Sequence, residues 1–403
     1  MKDIKTVKDI NTYIENVQFI HEYDKVITVE HRSNNPKRDF LFVNGIQCKH
    51  IPCSPSQMVE MCKQLADRVN NELKGKYNIL IIGFAETATA IGTIVGEHVL
   101  GAKYILHTTR EEVKNSIEVV TFEETHSHAT TQKLLVDKQF DINKYDYILF
   151  VEDEISTGNT ILNFIDAFES QYNTNENGDK SREIRYGVAS VCNWQDNEMK
   201  DKFKQLKIDT FALVTGDLKD VNSKMLEDTR VSIKEQSDNI SYTTDSPDVI
   251  LNGYSTFFEN RTGHELNRTE TNKKIEAMFE SLCKICSNLK NIHIIGTEEY
   301  MEIPIKLGKR LEERGANVIC HATTRSKIDV LSEKAGNINI VSRYKVPSAY
   351  DSSRDTYIYN MNKRCDITIV ITDTCNKKQF MLLLNSLQSI LRDKTNYIIG
   401  VSL

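Results

Sequence analysis

The chain has 403 residues, with 51 Lys and Arg against 57 Asp and Glu and a formal charge of −6. That length exceeds most single cores and predicts two α/β units, while the mild acidity offers no field to gather nucleic acid and no basic recognition helix stands out. No apolar run is long enough for a bilayer span, the start MKDIKTVKDINTY lacks a signal-peptide core, and nine scattered cysteines form no paired framework, so a reducing, cytoplasmic setting without membrane or nucleic-acid partners is expected.

From the N-terminus, DKVITVEH and RDFLFVNGIQ alternate as two strands around the turn SNNPK, inside an irregular opening segment of residues 1–55. SPSQMVEMCKQLADRVNNELKG carries a capping serine, a 3.6-period apolar face and a closing Gly75, which predicts a helix. NILIIG is wholly apolar and reads as a central parallel strand. A helix over 86–99, strand KYILHTT, a polar stretch over 110–135, strand YDYILFV, helix TILNFIDAFES, strand IRYGVASV, a further helix and strand TFALV follow. This alternation predicts a doubly wound parallel sheet, with QYNTNENGDKSRE as a surface loop.

Periodicity then lapses through KEQSDNISYTTDSPD, which sets a first domain at 1–225, a linker at 226–252 and a second domain at 253–403. The second region runs through a helix over 266–290, NIHIIG, a helix, NVICHATT, a polar stretch, DITIVIT, a helix over 377–392 and YIIGVS. Cys283 and Cys286 sit on its first helical pattern and read as buried thiols rather than a zinc half-site, because no second pair follows at ligand spacing. Met58, Met61, Phe164 and Phe168 read as core, and Trp194 as packing rather than a base-stacking platform.

The two regions match in order. Asn78–Gly83 answers Asn291–Gly296, Gly101-Ala102 answers Gly315-Ala316, His107 and Arg110 answer His321 and Arg325, and Asp146 and Asp153 answer Asp366 and Asp373. A divergent repeat predicts the same strand order in both regions.

The stretch YDYILFVEDEISTGNT carries the chemistry. Ligands of a parallel sheet bind beyond the carboxyl ends of its strands, where Glu152 and Asp153 fall. Carboxylates only accept hydrogen bonds, so this pair suits the hydroxyls of a ribose. Ser156, Thr157, Gly158, Asn159 and Thr160 then lead into a helix, whose N-terminal N–H groups favour an anion such as a 5′-phosphate.

FVEDEISTGNT resembles the ribose-phosphate motif of type I phosphoribosyltransferases, with Glu154 standing where most members have an apolar residue. FLFVNGIQCKHIPCSP, GFAETATAIG and EETHSHATT resemble the branch of that family found in tellurium-resistance and stress gene neighbourhoods. GTEEYMEIP, ATTRSKIDV and DTYIYN resemble the TRSP domain that follows it, with Lys327 in place of the signature proline. The resemblance implies a type I phosphoribosyltransferase-like sheet followed by a second Rossmann-like α/β domain. It also implies 5-phosphoribosyl 1-pyrophosphate (PRPP) as donor, a nucleobase or base-like acceptor, and Mg2+ held through the pyrophosphate and ribose rather than by protein ligands. A PRPP-sensing regulator without turnover is the alternative.

The resembled fold places its pyrophosphate loop at Ala85, Glu86 and Thr87, where backbone N–H groups would cradle the leaving group. Glu86 would repel pyrophosphate unless magnesium or a substrate amine stood between them, or else it is a solvated first-turn residue. Arg110 opens the stretch matching the mobile catalytic loop, and His126 and His128 in THSHAT are candidates for a proton donor, a pyrophosphate contact or a metal half-site. Lys49 and His50 are weaker candidates. In the second region Thr372-Asp373 replaces the acid pair and the following loop lacks glycine, so no PRPP binding is expected there. That region either pairs with the first as an internal partner, presenting Thr324, Arg325 and Ser326 to a ligand, or builds a separate site from Glu298, Glu299 and Arg325. A homodimer is the other pairing expected.

Overall fold

The computed structural model describes residues 13–402 except 20–22, 24–25, 33–37, 39, 112, 114–115, 124–130, 173–182, 220–248, 253–260, 262, 267–268, 286–287, 331–339 and 375. His126, His128, Cys286 and most of the predicted linker lie outside the described residues.

The first half contains β1 (Ile14–Phe19), β2 (Ile27–His31), β3 (Phe40–Asn44), α1 (Pro55–Leu73), β4 (Ile79–Gly83), α2 (Ala88–His98) and β5 (Ala102–Thr109). It continues with β6 (Ile117–Glu123), β7 (Thr131–Val136), β8 (Tyr147–Ile155), α3 (Asn159–Tyr172), β9 (Arg185–Asn193), α4 (Asn197–Gln205) and β10 (Ile208–Leu218). The sheet order is β1-β10-β9-β8-β4-β5-β7-β6. Its middle, β10 to β5, is parallel, as the wholly apolar runs require when helices cover both faces. The antiparallel pair β2–β3 stands apart as a ribbon.

Two local readings change. The polar stretch after β5 holds the antiparallel pair β6–β7, because Val120, Phe122, Leu134 and Val136 are buried among its charged residues. Ser54 precedes α1 without capping it, and its hydroxyl donates instead to Glu312 Oε1 at 2.6 Å. The periodic face of α1 is buried as expected, through Met58, Met61, Leu65 and Val69.

The second half contains β11 (Val249–Asn252), β12 (His264–Glu265), α5 (Thr269–Ile285), β13 (Asn291–Thr297), α6 (Glu302–Glu313), β14 (Asn317–Thr323), β15 (Arg343–Pro347), β16 (Asp355–Tyr359), β17 (Cys365–Thr372), α7 (Lys377–Leu391) and β18 (Thr395–Ser402). Its sheet runs β11-β18-β17-β13-β14, all parallel, while β12 joins the first sheet antiparallel to β5.

The order β18-β17-β13-β14 repeats β9-β8-β4-β5. Register repeats too: Gly83 lies opposite Val151 as Gly296 lies opposite Ile371, and Phe150 opposite Val188 as Val370 opposite Gly400. Asp146 accepts the N–H of Asn78 at 2.8 Å, and Asp366 accepts that of Asn291 at 2.8 Å. One match shifts. Gly83 faces His107 while Gly296 faces Ala322, so His321 is one residue out of step with His107.

The halves share a core, in which Met61, Leu65 and Ile94 join Ile294, Leu307 and Ile369. Helix α6 packs on α1 and on its counterpart α2. Cys53 and Cys320 exchange backbone hydrogen bonds at 3.2 and 2.8 Å, tying the segment before α1 to the edge of the second sheet.

Candidate active site

Strand β8 does not stop before its acids. Glu152 pairs with Ser190 and Glu154 with Cys192, so the parallel ladder carries the carboxylates to the sheet's C-terminal rim. Beyond Ser156 the chain turns at Gly158, whose φ of +75° favours glycine. A Cβ there would meet Gln195 Nε2 at 2.5 Å and Phe203 Cζ at 2.7 Å. The Thr157 hydroxyl accepts the N–H of Asn159 at 3.4 Å, and α3 begins. Its N-terminus faces a cavity of about 280 Å³ lined by Glu152, Asp153, Ser156, Thr157, Gly158 and Thr160. Asn159 is not among the lining residues.

The segment after β4 forms the second wall, with Ala85, Glu86 and Thr87, and Arg110 joins from the end of β5. The expected cradle of N–H groups is incomplete, because Ala85 donates its N–H to Thr108 Oγ1 at 2.8 Å. Glu86 is neither a solvated helix-start residue nor dependent on a ligand for its counter-charge. Its side chain is 7% exposed, with Lys49 Nζ 3.9 Å from Oε1 and Arg325 Nε 3.7 Å from Oε2. Lys49 also contacts Thr87 Oγ1.

The opening ribbon forms the third wall. Arg32, Arg38, Phe42, Gln47, Lys49 and His50 all line the cavity. Arg38 donates to Glu154 Oε1 at 2.6 Å and lies over the rings of Phe40 and Phe42, at 4.6 and 5.2 Å. This pair accounts for the acidic residue at position 154, whose carboxyl is pushed up by burial and pulled back by Arg38. Gln47 donates to Asp153 Oδ2 at 3.3 Å. Trp194, fully buried 5.0 Å from Phe42, is packing. Sequence reasoning missed Arg32, Arg38 and Gln47, and RDFLF carries only the faint signal of a cation beside aromatics.

The fourth wall comes from the second half, through Arg325 and Ser326. Arg325 donates from Nε to Glu298 at 2.8 Å and from Nη2 to Glu111 at 2.7 Å. Arg354 joins the same two carboxylates at 2.9 and 2.5 Å, and Ser348 donates to Glu298 at 2.5 Å. Burial works against the charge of Arg325, but Glu299, Glu86 and Glu298 outweigh it and raise its pKa. Burial raises Glu298 in turn, against Arg325 and Arg354. Thr324 does not reach the cavity; it is buried and its backbone pairs with Tyr357.

Glu299 accepts from Thr109 Oγ1 at 2.8 Å, from Arg261 Nη1 at 2.6 Å and from the Arg110 N–H at 3.3 Å. Burial alone would raise its carboxyl, yet Arg261, Arg325 and Arg110 hold it below the usual range. Arg261 also donates to Asp373 Oδ2 at 2.8 Å, and Tyr350 donates to Oδ1 at 2.6 Å. Asp373 matches Asp153, so the acid that faces open space in the first half is taken up by an arginine in the second. The space left there is about 30 Å³. Among the described residues no three His, Cys, Asp or Glu side chains converge as a metal site, and no helix is long and apolar enough to cross a membrane.

Residues 26–217 match the family described as phosphoribosyl transferase, and residues 260–387 match the TRSP domain described as lying C-terminal to it. The chain is therefore a pentosyltransferase. It belongs to the phosphoribosyltransferases that carry a TRSP domain.

Solved structures similar to it include adenine phosphoribosyltransferase from Rhodothermus marinus, at 10% identity, covering 48% of this chain and 97% of that one with a TM-score of 0.33. The Giardia lamblia enzyme complexed with 9-deazaadenine is 12% identical, covers 48% and 97%, and has a TM-score of 0.34. Orotate phosphoribosyltransferase from Mycobacterium tuberculosis is 12% identical, covers 47% and 88%, and has a TM-score of 0.28. These likenesses are distant and say nothing about the acceptor of this chain. Among curated proteins none matches.

Proposed function

We propose that the chain transfers the 5-phosphoribosyl group of PRPP to a nucleobase or base-like acceptor. The observation that carries this is the single cavity that joins the acid pair of β8, the glycine loop before α3, and the Glu86 segment with its arginines. The bond from C1′ to pyrophosphate breaks as an acceptor nitrogen bonds to C1′, through a transition state of oxocarbenium character; pyrophosphate leaves and the acceptor gives up a proton.

In this reading Glu152 and Asp153 hold the ribose hydroxyls, with Gln47 fixing one Asp153 oxygen. Ser156 to Thr160 hold the 5′-phosphate at the start of α3. Arg110 answers the charge growing on the leaving group. His126 and His128, outside the described residues, keep their candidate roles as proton donor or pyrophosphate contact.

Hard oxygen ligands fit a magnesium ion here, since the Glu152 and Asp153 carboxylates line the space that the ribose and pyrophosphate oxygens would share. The substrate's pyrophosphate and ribose oxygens would hold it beside these carboxylates, and it would neutralise charge on the pyrophosphate. The sequence resemblance supports a stress-linked nucleotide or nucleoside pathway, and the free cysteines favour a cytoplasmic setting.

Incubation with PRPP, magnesium and a panel of bases, following pyrophosphate release, tests the proposal. Release with at least one acceptor is expected, and tight PRPP binding without release for any acceptor would overturn transfer in favour of sensing. Asp153→Asn is expected to weaken PRPP binding by about 1 to 3 kcal/mol through loss of a charged acceptor. Unchanged affinity, read by calorimetry, would remove the ribose assignment.

A further inference from the structure

We propose that Arg325, delivered by the second half, contacts the pyrophosphate of PRPP, and that Glu298 and Arg354 are positioning residues that hold its guanidinium at the cavity wall. The inference rests on the phosphoribosyl reading of the cavity and assigns a role to the TRSP domain within it.

The repeat makes Arg325 the counterpart of Arg110, and Glu299 the counterpart of Glu86. Each glutamate faces the arginine segment of the opposite half: Glu86 Oε2 lies 3.7 Å from Arg325 Nε, and Glu299 Oε1 accepts the N–H of Arg110 at 3.3 Å. Such reciprocal contact is the signature of a two-fold interface, here made within one chain.

The two sides are not equal. On the second side Arg261 fills the space between Glu299 and Asp373. On the first side Glu86 and Arg325 both border the open cavity. One site is therefore left, and an arginine from the other half completes it.

The surroundings of Arg325 favour pyrophosphate over the 5′-phosphate. It sits beside Glu86, in the segment after β4, whereas the 5′-phosphate loop follows β8. With Nε given to Glu298 and one Nη2 hydrogen to Glu111, the remaining Nη1 and Nη2 N–H groups form the planar fork suited to two phosphate oxygens, and the guanidinium also screens Glu86 from an incoming anion. Its aim is set from behind. Glu298 has no exposed side-chain surface, takes a φ of +50°, and donates its N–H to Thr323 O at 3.2 Å. From that fixed backbone its carboxylate holds Arg325 and Arg354 together.

Calorimetry of the full chain with PRPP, pyrophosphate and ribose 5-phosphate, each with magnesium, tests this. Arg325→Ala is expected to weaken PRPP and pyrophosphate by about tenfold or more, from loss of charge-assisted hydrogen bonds, and to leave ribose 5-phosphate unchanged. Arg325→Lys, which keeps the charge but not the fork, is expected to give an intermediate loss and serves if the alanine variant does not fold. Glu298→Gln is expected to weaken PRPP and pyrophosphate severalfold, again sparing ribose 5-phosphate. Unchanged pyrophosphate affinity in the arginine variants, or equal loss for all three ligands, would overturn the assignment. Failure of the wild-type chain to bind either ribose 5-phosphate or PRPP would instead sink the phosphoribosyl reading on which it stands.

Discussion

Gly158 shows what a short motif makes legible. Its positive φ and its closeness to Gln195 and Phe203 follow from a turn that brings backbone against the protein interior at the cavity wall. Gly158→Ala is expected to cost about 1 to 3 kcal/mol of stability through strain and overpacking, measured by denaturant unfolding, and to weaken PRPP binding in parallel. Glu86 shows the opposite. Its own segment announces a carboxylate in an anion site, but Lys49 and Arg325 approach from distant parts of the chain and leave no mark near it. Glu154 is similar, since Arg38 answers it by direct contact from far earlier in the chain.

Among the elements, those with a strong period were legible: α1, α2, α3, α6 and α7, and the apolar strands β4, β8, β13 and β17. The pair β6–β7 was not, because its apolar residues are too few and too mixed with charge to stand out from a loop. Ser54 was legible as a helix-start residue but not as a tether, since Glu312 takes its hydroxyl and itself accepts the Ser56 N–H at the start of α1. The same contact brings α6 onto the start of α1, where a Cβ on Gly308 would meet Pro55 Cγ at 2.5 Å. Gly308→Ala is expected to destabilise the chain by about 1 to 3 kcal/mol, read as a lower denaturant midpoint with an unchanged slope.

At the scale of the molecule, matched strand ends foretold the repeat, and order and register agree with it. The filled second side was not foreseen, because nothing in the local sequence marks Arg261 as the partner of Asp373. Burial gives the whole a pH dependence. It lowers His107 and His321 to about 4, with Glu302 and Glu299 opposing it at His107. As pH falls below the ordinary histidine range near 6.5, the unfolded chain takes up protons before the folded one, so this stability is whole above that range and lost towards 4. The raised carboxyls of Glu97, Glu154 and Glu298 act in the opposite sense. The comparison that isolates a histidine is therefore with His107→Gln, relative to which the wild type should lose about 3 kcal/mol between pH 6.5 and 4 in denaturant unfolding. The pairing of Glu86 with Arg325 has a last consequence. Two subunits that share a site can be parted by dilution or spoiled by one defective copy, whereas this chain inherits its second arginine along with its first. With Arg325 in its proposed role, specific activity is expected to hold on dilution, and a lesion in the sealed half is expected to be felt as lost chemistry in the open one.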